Sequence, residues 1–373
     1  MMETKSFTAP DRILMGPGPS NVHPRVLEAM AKPTIGHLDP MFINLMDEIK
    51  SELRYAFQTN NEVTFPVSGP GSVGMETCLV NLIEPGDKVA VCINGVFGGR
   101  MKEIISRCGG QPVVIENPWG ETIDLQKFED TLKSNRDIKL TAFVHAETST
   151  GARSDIKTLT EISHKYNCLA IADTVTSLGG IPVKVDEWKI DVVYSGSQKC
   201  LSCPPGLSPV TFNEKALEIL KTRKTKVQSW FMDINLITSY WGSGSKRSYH
   251  HTAPINALYG LHEALLLLHE EGLENSWKRH KENSEIFIEG LKKLGLNTFV
   301  KDEILLPELI TVTVPNGVDE LKVRNNLLTK HNIEIGAGLG ALAGKIWRIG
   351  LMGYTSNQHN IDKCLTALKE ELN

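Results

Sequence analysis

Ile190-Asp191-Val192-Val193-Tyr194-Ser195-Gly196-Ser197-Gln198-Lys199 is the stretch on which the fold turns. An apolar, strand-like run ends at Tyr194, and a run of small polar residues holding one lysine follows it. A lysine in a tight loop just past a buried strand is poorly placed to be a solvated surface charge. Ser195, Ser197 and Gln198 can hydrogen-bond a phosphate, and Gly196 lets a ligand approach the backbone closely. Lysines in such surroundings form Schiff bases with carbonyl compounds. A lysine that merely follows a turn fits the same window, so the rest of the chain has to decide.

Working outward, short β-rich runs alternate with helical patterns from about residue 60 to 215. The runs are Val63–Val67, Lys88–Ile93, Gln111–Ile115, Leu140–His145, Cys168–Ala172, Val192–Tyr194 and Ser208–Phe212. Their near-continuous hydrophobicity predicts strands covered on both faces. The expectation is an α/β layer fold with a mostly parallel, seven-stranded sheet. Residues 1–20 read as an extended N-terminal arm ending in Gly16-Pro17-Gly18-Pro19-Ser20, which cannot be helix. A large unit over 21–270 follows. A long helical region, Ile255 to Leu294, breaks near Gly272, with Leu258, Leu261, Leu265 and Leu268 forming a core stripe. Beyond it, a strand (Leu309–Val314), a helix (Asp319–Lys330), a strand (Ile346–Ile349) and a closing helix (Gln358–Leu372) predict a smaller α+β C-terminal domain over 271–373.

Composition narrows the function classes. A net charge of -4 gives no reason to expect nucleic acid as a partner. The single basic cluster, Lys221-Thr222-Arg223-Lys224-Thr225-Lys226, reads as a solvated segment. Seven cysteines, an odd number mostly inside apolar runs, favour reduced buried thiols over a disulfide framework. With no apolar leader or membrane-length run, the expectation is a cytoplasmic protein that does not enter a membrane.

Gly69-Pro70-Gly71-Ser72-Val73-Gly74 matches the G-x-G-x-x-G pattern of a dinucleotide site. That reading needs a carboxylate at the end of the next strand, where Cys92-Ile93-Asn94-Gly95 stands instead. The simpler expectation is a cradle for one phosphate: the N–H groups of Gly71, Ser72 and Val73 at a helix N-terminus, with the Ser72 hydroxyl. A purely structural tight turn is the alternative.

Asp173 ends the run Leu169-Ala170-Ile171-Ala172, at the edge where α/β folds place ligand groups. A carboxylate there can bind metal, cap a helix or pair with a pyridine nitrogen. No His/Asp/Glu set nearby has ligand spacing, so no metal is expected. An acid beside a pyridine nitrogen keeps it protonated and turns the ring into an electron sink, the chemistry of pyridoxal phosphate. Phe97, in a turn beyond a strand, can stack on such a ring or simply pack the loop. Thr148 stands at another strand end, where its hydroxyl can reach the ring oxygen.

These residues belong to a longer ordered set. Gly16-Pro17-Gly18-Pro19-Ser20, Ser68-Gly69-Pro70-Gly71, Glu147-Thr148-Ser149-Thr150-Gly151, Asp173-Thr174-Val175-Thr176-Ser177 and the Lys199 block are followed by Cys203-Pro204-Pro205-Gly206, Tyr249-His250-His251-Thr252, Glu271-Gly272-Leu273-Glu274-Asn275 and Trp347-Arg348-Ile349-Gly350. The set resembles the alanine–glyoxylate and serine–pyruvate aminotransferases, class V pyridoxal-phosphate enzymes of fold type I, over about residues 12 to 370. The resemblance implies that Lys199 carries the cofactor as a Schiff base and Asp173 pairs with its ring nitrogen. Phe97 sits where relatives have a stacked aromatic, often Trp. Pro70, Thr148 and Val175 complete the ring's surroundings, while Gly71, Ser72 and Gln198 hold the phosphate. The resemblance further implies a homodimer with shared active sites, Tyr249 and Thr252 reaching in from the other subunit. Gly18, Thr148 and Arg348 bind substrate, Arg348 clamping its carboxylate. Pro70, Phe97 and Ser72 depart from some members, which bears on substrate preference.

The implied reaction is a two-stage transamination from alanine or serine to glyoxylate or pyruvate. Alternative donors on the same fold are 3-hydroxykynurenine, ureidoglycine and aspartate. The rival beyond aminotransfer is a desulfurase or another pyridoxal-phosphate lyase on the same fold; a desulfurase needs a nucleophilic cysteine well after the lysine, and none occurs between 204 and 363. A non-catalytic carrier has no need of Lys199, Asp173 and Arg348 together. Cys200-Leu201-Ser202-Cys203 reads either as two buried small residues or as a redox-sensitive thiol pair beside Lys199.

Overall fold

A computed structural model describes residues 5–242 and 247–372. The first four residues of the expected arm, and Asn373 of the expected small domain, lie outside the described residues. The seven apolar runs form one sheet: β1 (Val63–Ser68), β2 (Lys88–Ile93), β3 (Gln111–Glu116), β4 (Ile138–Val144), β5 (Leu169–Asp173), β6 (Val192–Tyr194) and β7 (Leu207–Phe212). Their spatial order is β1-β7-β6-β5-β4-β2-β3. Strand β7 runs antiparallel to β1 and β6, and all other pairings are parallel.

Helices cover both faces, which is why Val192, Val193 and Tyr194 are all buried rather than alternating. Two of these helices matter most here: α1 (Gly71–Leu82) follows β1, and α2 (Val96–Arg107) follows β2. Parallel strands point their carboxyl ends one way, so Ile93, Val144, Asp173 and Tyr194 finish along one edge.

The helices Ile255–Glu271 and Leu273–Lys293 are separated by Gly272, whose φ of 83° is one that glycine adopts without strain. The Leu258, Leu261, Leu265 and Leu268 stripe is buried in the core around the sheet. A second apolar core gathers Met15, Phe287, Leu291, Trp347, Ile349, Ile361 and Leu368. Over it lies a three-stranded sheet of Leu309–Thr313, Ile346–Gly350 and Gly336–Ala337.

The N-terminal segment is tied to that second core. Ile13–Leu14 pair in parallel with Ile333–Glu334, and the Arg12 guanidinium donates to the Leu328 carbonyl at 2.6 Å. The chain then passes Pro17 and Gly18 across the carboxyl edge of the large sheet, so the segment connects the second core to the site on that edge.

Candidate active site

A cavity of about 170 Å³ opens at the carboxyl edge of the sheet. Pro70, Gly71, Ser72, Phe97, Thr148, Asp173, Val175, Gln198 and Lys199 all line it, brought together from five separate segments. Each arrives by the same route: a buried strand ends, and the following loop or helix turn faces the cavity.

At the N-terminus of α1 no side chain caps the helix, in contrast to the Asp- and Asn-capped helices elsewhere in the chain. The first N–H groups of a helix have no intrahelical partner, so those of Gly71 and Ser72 are available to an anion. Val73 differs from expectation: its N–H donates to the Pro70 carbonyl at 2.7 Å. The N–H groups left to an anion here are therefore those of Gly71 and Ser72. Gln198 lines the same cavity, and its Oε1 is buried without a partner among the described residues. Ser195 and Ser197 turn away from it. Their hydroxyls donate to the Thr174 carbonyl (3.0 Å) and the Pro204 carbonyl (2.7 Å), both buried, so they brace the loop instead of binding a ligand.

Phe97 is the second residue of α2 rather than part of a turn. The start of α2 is fixed by Glu147, a fully buried carboxylate. Glu147 Oε2 accepts the Phe97 N–H at 3.1 Å, and Oε1 accepts the Ser149 N–H and hydroxyl at 3.1 and 2.5 Å. Ser149 in turn accepts the Val96 N–H at 2.9 Å. A borrowed cap thus orients Phe97, and with it Arg100, whose guanidinium lies 4.7 Å from the Phe97 ring centroid. Arg100 also lines the cavity, a member that sequence reasoning missed because an arginine on an amphipathic helix reads as surface charge.

Asp173 is buried at the end of β5. Its Oδ1 accepts the Val175 N–H at 2.8 Å, and its Oδ2 accepts the Tyr194 hydroxyl at 2.7 Å. Burial pushes the Asp173 carboxyl up to about 7, against the pull of these two hydrogen bonds. Lys199 is shifted the other way. Burial, then the positive charge of Arg348, brings its amine down to about 8. The amine donates to the Pro17 carbonyl. Gly18 lies so close that a Cβ there would run into the Lys199 side chain, which accounts for glycine at that position.

Arg348 comes from the second core's sheet and is buried. Its Nε donates to the Ala337 carbonyl at 2.7 Å and its Nη1 to the Thr148 carbonyl at 3.2 Å. Two carbonyls therefore orient the guanidinium, and its remaining N–H groups have no hydrogen-bond partner among the described residues. Tyr249 and Thr252 are not in this cavity; both are exposed on the chain's surface.

The cysteine pair separates. Cys200 packs with Ile181, Leu309 and Met352, whereas Cys203 packs in the core around the large sheet. Both thiols are buried, and burial pushes Cys203 up to about 12 and Cys200 well above the usual thiol range. Buried, protonated thiols are poor nucleophiles, which favours the reading of two buried small residues. A larger cavity, about 290 Å³, lies behind the same loop. Its Arg279 is already bonded to Glu271 and to the Gly353 and Ser356 carbonyls, so it offers no free cation for chemistry.

The cavity fits pyridoxal phosphate on its own terms. It has an uncapped helix start for the phosphate, an aromatic ring on one wall, a buried carboxylate for a ring nitrogen and a low-pKa amine for the aldehyde. Comparison with known proteins agrees. The class-V aminotransferase family model matches residues 13–363. An alanine–glyoxylate aminotransferase of Rattus norvegicus is 44% identical over 99% of this chain and 89% of its own. The (S)-ureidoglycine–glyoxylate transaminase of Bacillus subtilis is 37% identical over 100% of this chain and 93% of its own. The crystal structure of an alanine–glyoxylate aminotransferase from Nostoc sp. superposes with a TM-score of 0.97 at 48% identity, covering 100% of this chain and 98% of that one. The chain belongs to the class-V aminotransferases, enzymes that work with pyridoxal 5'-phosphate.

Proposed function

We propose that this aminotransferase moves the amino group of a small L-amino acid, alanine or serine, to glyoxylate or pyruvate in two half-reactions at Lys199. The observation that carries the reading is the meeting of Lys199, Asp173 and the Gly71–Ser72 helix start in one cavity, with Arg348 beside the lysine. Pyridoxal phosphate supplies the electron sink that makes the substrate α-carbon acidic. Asp173 holds a cation at the ring nitrogen, and Phe97, Pro70, Thr148 and Val175 confine the ring. Gly71, Ser72 and Gln198 bind the phosphate. Arg348 and Gly18 seat the substrate so that its α-carbon faces the Lys199 amine.

With its pKa near 8, that amine has an appreciable unprotonated fraction at neutral pH. It takes the proton from the α-carbon and returns it on the other side of the half-reaction. The small cavity favours a small side chain. A second reading, ureidoglycine as donor, is favoured by the likeness to the Bacillus subtilis enzyme.

We further propose a homodimer in which Tyr249 and Thr252, exposed in the single chain, complete the partner's phosphate site. A large unit over 21–270 and a small one over 271–373, bridged by the arm 1–20, accord with the two apolar cores. Seven free, buried cysteines support a reducing compartment, which we take to be the cytoplasm. Among the described residues no helix is long and apolar enough to cross a membrane.

A panel of amino donors assayed with glyoxylate and with pyruvate tests the substrate assignment. The expected result is the highest kcat/KM for alanine or serine. A tenfold or larger preference for ureidoglycine, 3-hydroxykynurenine or aspartate overturns it.

A further inference from the structure

We propose that Tyr194 is a positioning residue for this reaction: its phenol holds the Asp173 carboxylate turned toward the cavity and charged. The proposal rests on the role given above to Asp173. Val144, Asp173 and Tyr194 are directly paired across three parallel strands, so Asp173 ends a strand with Tyr194 as its neighbour in register. The Tyr194 side chain is fully buried. A phenol has one proton to donate, and here it goes to Asp173 Oδ2 at 2.7 Å, while the Val175 N–H occupies Oδ1 at 2.8 Å. One donor on each oxygen fixes the carboxylate plane and leaves the remaining lone pairs for a ring N–H.

The geometry has an electrostatic consequence. An ionised carboxylate only accepts hydrogen bonds, so two fixed donors favour that form, and burial opposes it. The other groups acting on Asp173 are Glu147, which disfavours its charge, and Lys199, which favours it. Cys78 and Tyr194 also lie close, and burial raises both far enough to keep them neutral. Without the Tyr194 hydroxyl, Oδ2 has no protein donor among these neighbours. Burial is then opposed by one donor fewer, and at neutral pH the balance moves toward the neutral acid, which cannot stabilise a protonated ring. Sequence reading misses Tyr194 because a tyrosine ending an apolar strand reads as core.

The test measures pyridoxal phosphate affinity of the apo chain from pH 6 to 9, with thermal stability alongside. Four proteins are compared: wild type, Tyr194→Phe, Asp173→Asn and the double variant. Tyr194→Phe is expected to weaken binding about 10- to 100-fold at pH 7. The loss should shrink toward pH 9, where Asp173 ionises without help. In the Asp173→Asn background the same change should alter affinity less than about twofold, because Tyr194 then has no charge to support. If Tyr194→Phe lowers stability alone and leaves affinity and its pH profile as in wild type, the proposal is overturned. An undiminished Tyr194→Phe effect in the Asp173→Asn background overturns it too. Wild-type affinity in Asp173→Asn is a different failure, that of the role assigned to Asp173 itself.

Discussion

The Asp173–Lys199 wall and the Tyr249–Thr252 segment carry equally recognisable motifs, yet the fold treats them in opposite ways. The wall is assembled within one chain from strand ends, and its charged groups are shifted by burial. In the segment, the inner residues bond inward and the outer ones face solvent. His251 Nε2 meets the Ser68 hydroxyl at 2.8 Å, and the Nδ1 atoms of His250 and His251 are 2.8 Å apart. His250 Nε2 contacts the Trp230 carbonyl at 3.4 Å. A carbonyl only accepts, so His250 Nε2 donates to Trp230, and its Nδ1 and the His251 ring link it onward to the Ser68 hydroxyl. All three groups are paired in this arrangement. The arrangement anchors the segment to Ser68, at the end of β1 before the α1 N-terminus, while Tyr249 and Thr252 are exposed. One region is enclosed within a single chain; the other leaves Tyr249 and Thr252 exposed, as the proposed homodimer requires.

The sharpest way to break this contrast is Lys199→Ala. Turnover should fall by about 10³-fold or more, since both the covalent anchor and the proton carrier are gone. Retained turnover removes the wall from the mechanism. The Tyr249→Ala, Thr252→Ala double variant should weaken cofactor binding more modestly, roughly 10- to 100-fold for lost phosphate hydrogen bonds. Mixing it with Lys199→Ala chains should restore activity in hybrids, where one site regains both contributions. Failure of hybrids to recover any activity would show that each chain uses its own segment.

Burial of the wall has a cost in stability that pH should reveal. Lys199 is depressed in the folded apo chain, so the folded state binds fewer protons than the unfolded one between about 8 and 10.5. Stability is diminished below that window and recovers as pH rises through it. Lys199→Met should therefore stabilise the apo chain by on the order of 2 kcal/mol at pH 7, with the gain fading near pH 10.5. Equal melting temperatures at pH 7 would contradict the burial argument.

Glu308 lies behind the same wall, fully buried, with neither carboxyl oxygen bonded among the described residues. Burial raises it to about 8, so the folded state retains a proton that the unfolded state releases near 4.5. Stability contributed by neutral Glu308 is present at low pH and lost as pH rises toward 8. Glu308→Gln should flatten that decline, by an amount of about 1 kcal/mol or more at pH 8, read from urea unfolding at pH 5 and pH 8. His251, lowered to about 4 chiefly by burial and then by His250 and His37, behaves oppositely. Its stability contribution is lost as pH falls from 6.5 toward 4, and His251→Gln should blunt the loss with the smallest effect of the set.

Much of the wall was legible because strand ends in a parallel sheet converge, and apolar runs followed by small polar residues mark those ends. Lys199, Asp173, Thr148 and the Gly71 turn were all found that way. Hydrogen-bond direction was not legible: Ser195 and Ser197 resemble phosphate ligands until their hydroxyls are seen bonded to Thr174 and Pro204. Glu147 and Tyr194 act through other residues and carry no spacing signal. The pairing of Ile13–Leu14 with Ile333–Glu334 joins two-residue strands from opposite ends of the chain, beyond any local pattern. Arg348 was found through the family likeness alone, because its strand gives no hint that the Ala337 and Thr148 carbonyls hold it near enough to act on Lys199.

A single-turnover reaction tests the central claim most directly. Holoprotein mixed with L-alanine and no 2-oxo acid should bleach the absorbance of the lysine-bound cofactor and release one pyruvate per chain, then stop until glyoxylate is added. Continued 2-oxo acid release without an acceptor, or neither bleaching nor the matching 2-oxo acid from alanine, serine or any other amino donor, would contradict an aminotransferase centred on Lys199.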